Sequence, residues 1–204
     1  MNGADRADLP KSPPDFRILR GKTNEFMRIY EATEPSDLLA EAFARLLPQL
    51  SERMTAPDRE AVARIVASPA TRQLVAAAED GRIVGLLSVA LYDVPSGRKA
   101  WIEDVVVDAA TRGRGIGEAL VREALDRCRA ERFRYAALIP GSEELRRWYA
   151  GFGFAGDYPA CFRTHDDFDF GTGDPAHDRA MVLPLTGEPF AGETLDLSDL
   201  PQES

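Results

Sequence analysis

The spacing of apolar residues along the chain switches between every second and every third or fourth position, which predicts strands and helices in mixed order. Short apolar runs bounded by turn residues predict strands at residues 26–33, 71–78, 82–92, 99–107, 134–139, 154–164 and 179–185. Asp80 and Gly81 lie between two of these strands and predict a hairpin turn. The pattern is typical of an α/β (α+β) domain built around one sheet.

Helical spacing, together with capping residues, predicts helices between the strands. Ser36 marks the start of the first helix, which Pro48 ends or kinks, and Asp58 marks the start of the second. The third helix covers residues 115–130, and Ser142 caps the fourth. A long acidic loop then connects the last two strands.

Length and charge limit the domain organisation and the class of partner. The length of 204 residues favours a single domain with terminal extensions. We expect a flexible N-terminal segment at residues 1–24, the folded domain at 25–186 and an acidic flexible tail at 187–204. Because the formal net charge is -9, the molecule should repel nucleic acid and anionic membranes, so cationic partners fit better.

Signals for metals, disulfides and membranes are weak. Cys128 and Cys161 are too few and too far apart for a disulfide framework or a metal site. His165 and His177 have no recognisable ligand spacing, so we expect no metal. No apolar run reaches the roughly 18 to 20 residues of a membrane span, and the polar N-terminus lacks a secretory signal. We therefore expect a cytoplasmic protein without membrane partners.

A glycine-rich turn follows the strand at residues 99–107 and opens the third helix. Glycines let a backbone approach an anion closely, and the unpaired N–H groups at a helix start favour negative charge. The turn therefore suits a pyrophosphate, although a tight structural turn stays open, and neither a P-loop nor a Rossmann motif matches the spacing. The candidate cofactor-binding residues of the turn are Arg112, Gly113, Arg114, Gly115, Ile116, Gly117 and Glu118.

At these residues the chain resembles the GNAT superfamily of N-acetyltransferases. The pyrophosphate signature of that family, R/Q-x-x-G-x-G/A, is matched by Arg112, Gly115 and Gly117. A second family signature, a Tyr four residues before a Gly-Phe pair, is matched by Tyr149 and residues 153–154.

The resemblance implies a mixed sheet of about six to seven strands with helices on both faces, splayed between its fourth and fifth strands. It also implies that acetyl-CoA binds in the splay, with its pantetheine arm against the backbone of Val105, Val106 and Val107. One departure from the family follows the fifth strand, where many relatives have an Asn that contacts the cofactor and this chain has Pro140. The resemblance therefore does not imply that contact in this chain.

The activity implied by the resemblance is transfer of an acetyl group from acetyl-CoA to a primary amine. A small cationic molecule suits the acidic balance better than nucleic acid as the acceptor. A catalytically silent acyl-CoA-binding sensor or regulatory module stays open, since it would keep the glycine turn without a catalytic residue. The presence of Tyr149 favours the enzyme, and a homodimer is compatible with the sequence.

Tyr149 and Glu103 are the candidate catalytic residues. The Tyr149 phenol can protonate the departing thiolate, because a pKa near 10 suits a thiol of pKa about 8.5. A packing role in the core is the alternative for Tyr149. Glu103 is the candidate base, with an ion pair or a cap as the alternative, and regular alternation sends Asp104 to the opposite face. We expect loss of Glu103 to matter most at low pH, where most of the acceptor is protonated.

Two further sequence features bear on the acceptor. Residues 102–105 resemble the corresponding strand of glucosamine-phosphate N-acetyltransferases, over too short a stretch to name that substrate. The loop at residues 165–178 is rich in Asp and has no Lys or Arg. In the family that the chain resembles, this connection lies near the acceptor, which makes Asp166, Asp167 and Asp169 candidate substrate-binding residues. A plain solvated loop is the alternative.

Overall fold

We describe the computed structural model over residues 16–20, 26–159 and 179–186. Its strands are β1 (Phe16–Arg20), β2 (Phe26–Glu31), β3 (Thr71–Ala77), β4 (Ile83–Val94), β5 (Gly97–Val107), β6 (Tyr135–Leu138), β7 (Ala155–Pro159) and β8 (Arg179–Pro184). Its α-helices are α1 (Asp37–Leu50), α2 (Arg59–Ala67), α3 (Ile116–Ala130) and α4 (Glu143–Ala150), and a short 3₁₀ turn covers Ala109–Thr111.

The described strands form one mixed sheet in the order β1-β2-β3-β4-β5-β6-β8-β7. Neighbouring strands are antiparallel except for β5 and β6, which are parallel. The predicted mixed α/β architecture is confirmed. The parallel pair needs a crossover connection, and α3 provides it between the two strands.

Strand β1 lies within the segment at residues 1–24 that we expected to be flexible. It pairs with β2 over its full length, from Phe16 opposite Tyr30 to Arg20 opposite Phe26. The expected boundary is therefore wrong for these five residues. A short edge strand of this kind is stabilised by the strand beside it, so its own sequence gives only a weak signal.

Helices cover both faces of the sheet, as expected. On one face, α3 and α4 contribute Leu120 and Tyr149 to a core cluster that includes Leu74 of β3. On the other face, α1 and α2 contribute Phe43, Val62 and their neighbours to a second cluster that includes Val75. Leu74 and Val75 are consecutive, so β3 alternates between the two cores as a strand covered on both faces must.

The predicted helix starts are confirmed by their caps. The side chains of Ser36, Asp58 and Ser142 accept hydrogen bonds from backbone N–H groups at 3.2, 2.7 and 3.2 Å. Each bond satisfies one of the donors that a helix start leaves unpaired. Pro48 lies inside α1, which continues to Leu50.

The sheet splays between β5 and β6, the fourth and fifth strands that the sequence predicted. The two strands pair only where residues 99–101 face residues 135–137. Beyond Trp101, β5 stays paired with β4 but leaves β6. Among the described residues, the β6-side edge of residues 102–107 therefore has no strand partner, and its backbone groups face the gap.

Gly85 of β4 allows α3 to pack closely beside this gap. A Cβ atom at Gly85 would lie 3.0 Å from Cδ1 of Leu120 and 3.1 Å from Cγ2 of Ile116. Both distances are shorter than ordinary carbon contacts, so only glycine permits this approach without displacement. The first turns of α3 are thereby held against the sheet.

Candidate active site

The glycine turn lies between β5 and α3, where the sequence predicts it. Gly113 and Gly115 have φ values of +77° and +83°, in the left-handed region that favours glycine. A Cβ atom at either residue would meet nothing within 4 Å. Backbone conformation, and not lack of space, is therefore what requires glycine at these two positions.

The turn presents the uncapped N-terminus of α3. Gly115 is the N-cap residue and has no side chain to satisfy the first N–H groups of the helix. Next to it, a Cβ atom at Gly117 would lie 3.5 Å from Cγ2 of Val107 and 3.6 Å from the Trp148 ring. The fold thus brings the end of β5, the start of α3 and α4 together, and the bare helix start suits an anion.

The charged residues of the turn have distinct partners. The Arg112 Nε–H donates to the carbonyl oxygen of Val107 at 3.1 Å, which closes the turn onto the end of β5. The carboxylate of Glu118 accepts a hydrogen bond from Arg122 at 3.0 Å. An anion at the helix start would therefore meet the backbone N–H of Glu118 and not an unpaired negative charge.

A β-bulge interrupts β5 at Asp104. Leu86 pairs with Val106 and Ser88 pairs with Glu103, so Asp104 and Val105 together face the single residue between those β4 partners. Asp104 has φ +48°, which is uncommon for a non-glycine residue. The extra residue reverses the alternation of side chains along the rest of the strand.

The bulge places both acidic residues in one cavity of about 230 Å³ on the α1 and α2 side of the sheet. The residues around the cavity are Phe43, Leu47, Pro57, Ile65, Thr71, Gln73, Ser88, Ala90, Glu103 and Asp104. Our expectation that Glu103 and Asp104 face opposite ways is therefore wrong. It assumed regular alternation, which the bulge breaks.

Glu103 has the protonation behaviour of a base that works near neutral pH. Burial and, to a smaller extent, the charge of Asp104 raise the pKa of this carboxyl group to about 7, against a hydrogen bond from the Trp101 side chain that lowers it. Burial also raises the pKa of Asp104. A general base is most effective when its pKa lies near the working pH.

Tyr149 lies in the core on the α3 and α4 side of the sheet and is 6% exposed. Its ring packs edge to face on Trp148, with 4.8 Å between centroids, and on Phe154, with 5.9 Å between centroids. Burial raises the pKa of the phenol, and the negative charge of Glu103 raises it further. The charge of Glu103 therefore acts on Tyr149 across the splayed part of β5.

Asp108 lies at the centre of an ion-pair cluster that the sequence analysis does not predict. Its carboxylate is buried and contacts Arg45 at 2.5 Å and Arg82 at 2.8 Å. The partners are 63 and 26 residues away along the chain, so no local pattern indicates the cluster.

Several residues named from the sequence lie outside the described ranges. These residues are Asp166, Asp167, Asp169, Cys161, His165 and His177. Within the described ranges, no group of three or more His, Cys, Asp or Glu residues could hold a metal ion. Burial raises the pKa of the free Cys128 thiol to about 11, as suits an inert core residue. No helix in the described part of the chain is long and apolar enough to span a bilayer.

Comparison with known proteins supports the fold. Residues 25–154 match the model of the acetyltransferase (GNAT) family. Glucosamine 6-phosphate N-acetyltransferase 1 from Oryza sativa subsp. japonica is 36% identical over 124 residues, which cover 57% of this chain and 74% of that protein.

Two solved structures show the same fold. An acetyltransferase from Trypanosoma brucei has a TM-score of 0.57 and 26% identity, covering 70% of this chain and 99% of its own. The GNAT family N-acetyltransferase YhbS from Escherichia coli, in complex with CoA, has a TM-score of 0.55 and 17% identity, covering 85% of this chain and 84% of its own. With the family match over more than half its length, the chain belongs to the GNAT family of acetyltransferases and is an acyl-CoA N-acyltransferase.

Proposed function

We propose that the protein transfers the acetyl group of acetyl-CoA to a small primary amine that enters the cavity beside Glu103. The proposal rests on the positions of two ionisable side chains, Glu103 and Tyr149, on opposite sides of the splayed part of β5. On one side, Glu103 lies in a cavity and has a pKa of about 7. On the other side, the Tyr149 phenol is buried and protonated. A base for the acceptor and an acid for the leaving group are what amine acetylation requires.

The splay and the glycine turn form the proposed binding surface for acetyl-CoA. The free edge of β5 at Val105, Val106 and Val107 offers backbone groups to the amides of the pantetheine arm. Residues 113–118 offer N–H groups and the positive end of the α3 dipole to the pyrophosphate. Arg112 and Arg114 add positive charge there. YhbS, a structural relative with CoA bound, has the same fold.

The cavity suits an ammonium group on a small, partly apolar molecule. Glu103 and Asp104 supply the negative charge, whereas Phe43, Leu47 and Ile65 supply apolar walls. An alkyl amine of pKa about 10.4 is only about one part in a few thousand neutral at pH 7, so deprotonation has to accompany the reaction. Glu103 is the proposed acceptor of that proton, directly or through one water.

Tyr149 is the proposed donor of a proton to the departing thiolate. Its raised pKa keeps the phenol protonated throughout the range in which the amine is deprotonated. A raised pKa also makes the phenol a weaker acid, but a thiolate released into the same dry surroundings is destabilised for the same reason. The pKa values of the Tyr149 phenol and of the departing thiol are therefore closer to each other than a comparison of this phenol with a free thiol indicates.

Glucosamine 6-phosphate is the second candidate acceptor, because the rice relative that acts on it is 36% identical to this chain. None of the described residues around the cavity is Lys or Arg, so a phosphate group would have to bind outside it. We keep the small cationic amine as the first candidate. Asp166, Asp167 and Asp169 are proposed to draw such an amine towards the site through their charge.

The pH dependence of kcat/KM for the acceptor tests the role of Glu103. In the wild type, kcat/KM is expected to rise through an inflection near pH 7, because a protonated Glu103 cannot accept a proton. In Glu103→Gln that inflection should disappear, and the loss should approach about 10²-fold above pH 7. The earlier expectation of a larger effect at low pH is therefore reversed, since Glu103 is itself protonated there.

Asp104→Asn is the matched control for this measurement. It removes the neighbouring charge that raises the pKa of Glu103, so the inflection should move to lower pH but should still be present. An inflection near pH 7 that persists in Glu103→Gln would show that another group is the base.

A further inference from the structure

Asp108 holds the turn that leads from β5 into the glycine turn. It is 5% exposed, and both of its carboxyl oxygens have partners. Oδ2 accepts hydrogen bonds from Arg45 at 2.5 Å and from Arg82 at 2.8 Å. Oδ1 accepts from the backbone N–H of Ala110 at 3.2 Å, and the backbone carbonyl accepts from the Thr111 N–H at 2.8 Å. One buried carboxylate therefore fixes the 3₁₀ turn and joins it to two other elements.

Helix α1 is the main partner of this turn. Arg45 donates to Asp108 and also to the backbone carbonyl of Ile83, both at 2.5 Å. One turn later on the helix, the side-chain oxygen of Gln49 accepts from the Ala109 N–H at 2.8 Å. The same helix contributes Phe43 and Leu47 to the cavity that contains Glu103. Helix α1 therefore contacts both the cavity that contains Glu103 and the 3₁₀ turn that precedes the glycine turn.

Gly113 and Gly115 have no side chains that could fix the conformation of the glycine turn. Gly113 and Gly115 adopt left-handed φ values, and no heavy atom outside their chain neighbours would touch a Cβ atom on either residue. Glycine visits many backbone conformations, so ordering such a turn costs free energy unless its ends are fixed. Asp108 fixes the N-terminal end, and α3 fixes the C-terminal end.

We infer that Asp108 is a positioning residue for the glycine turn. Through its contact with Arg45, Asp108 holds this turn in the conformation that binds the pyrophosphate. The inference rests on the proposed placement of acetyl-CoA. Without the Arg45 to Asp108 contact, part of the free energy of CoA binding is used to order the turn. The affinity for CoA therefore falls, while the chemistry of the bound complex is preserved.

Calorimetric titration with CoA, combined with steady-state kinetics, tests this inference. Asp108→Asn and Arg45→Met are each expected to weaken CoA binding by about tenfold and to raise KM for acetyl-CoA, with kcat at saturation nearly unchanged. The double variant should bind CoA no more weakly than the single variant with the lower affinity, because both changes remove the Arg45 to Asp108 contact. Arg45→Lys should recover part of the affinity, since it keeps the charge opposite Asp108.

Asp37→Asn is the matched control on the same helix. It breaks the contact between Asp37 and Arg59, whose side chains are 70% and 78% exposed, and should change neither affinity nor kcat. Thermal unfolding of every variant checks the fold. If Asp108→Asn unfolds, Arg45→Met still tests the inference, because it leaves the Arg82 to Asp108 contact in place.

The outcomes separate this inference from the function on which it rests. A wild-type protein that binds CoA, with Asp108→Asn and Arg45→Met binding it equally well, would overturn the positioning role alone. A fall in kcat with unchanged CoA affinity would also overturn it. A wild-type protein that binds no CoA would overturn the proposed function and this inference together.

Discussion

Tyr149→Phe is expected to lower kcat by about 10²- to 10⁴-fold while leaving the Kd for acetyl-CoA nearly unchanged. The change removes the phenolic hydroxyl but keeps the ring that packs on Trp148 and Phe154. Little packing is therefore lost, and the effect should appear in turnover rather than in folding. Thiol release measures kcat, and calorimetry measures Kd.

Tyr92→Phe is the matched control for the loss of a tyrosine hydroxyl. Tyr92 is 41% exposed and pairs with Lys99, near the turn of the β4–β5 hairpin. Its variant should keep wild-type kcat. If Tyr149→Phe did the same, Tyr149 would serve only as a core residue, which is the alternative that the sequence left open.

Gly115→Val is expected to abolish detectable CoA binding without unfolding the domain. Gly115 has φ +83°, and a β-branched residue is strained in that region by about 1–3 kcal/mol. The turn is expected to relieve this strain by changing its backbone conformation, which would misdirect the N–H groups at the start of α3. The added side chain meets no other part of the described structure near Cβ, so the core should stay intact.

Gly141→Val is the matched control for Gly115→Val. Its Cβ atom would also meet nothing within 4 Å, and its φ lies outside the left-handed region. It should bind CoA as the wild type does by calorimetry. Equal affinity in Gly115→Val and the wild type would show that the glycine turn does not form the pyrophosphate site.

Local signals in the sequence were sufficient for the helix starts and for the position of the glycine turn. Ser36, Asp58 and Ser142 cap helices within three residues of themselves, so their roles need no knowledge of the sheet. The position of the glycine turn between β5 and α3 likewise depends only on consecutive residues. Such features depend on a few consecutive residues, which is why pattern and propensity predict them.

The sequence did not predict features that depend on contacts between residues far apart in the chain. The bulge at Asp104 arises from the register between β5 and β4, and it moved Asp104 into the cavity that Glu103 lines. The Asp108 cluster joins residues from α1, from the hairpin before β4 and from the end of β5. Strand β1 depends on pairing with β2. None of these contacts corresponds to a periodic pattern of residue types in the sequence.

The most direct measurement of the proposed function combines purified protein, acetyl-CoA and single amines, with thiol release and product mass recorded together. The amines are glucosamine 6-phosphate, glucosamine and small unphosphorylated diamines. We expect one N-acetylated product for each thiol released, with a small cationic amine giving a higher kcat/KM than glucosamine 6-phosphate. The reverse order would select the phosphorylated sugar as acceptor. Binding of acetyl-CoA without an N-acetylated product from any amine would contradict the proposed amine acetyltransfer.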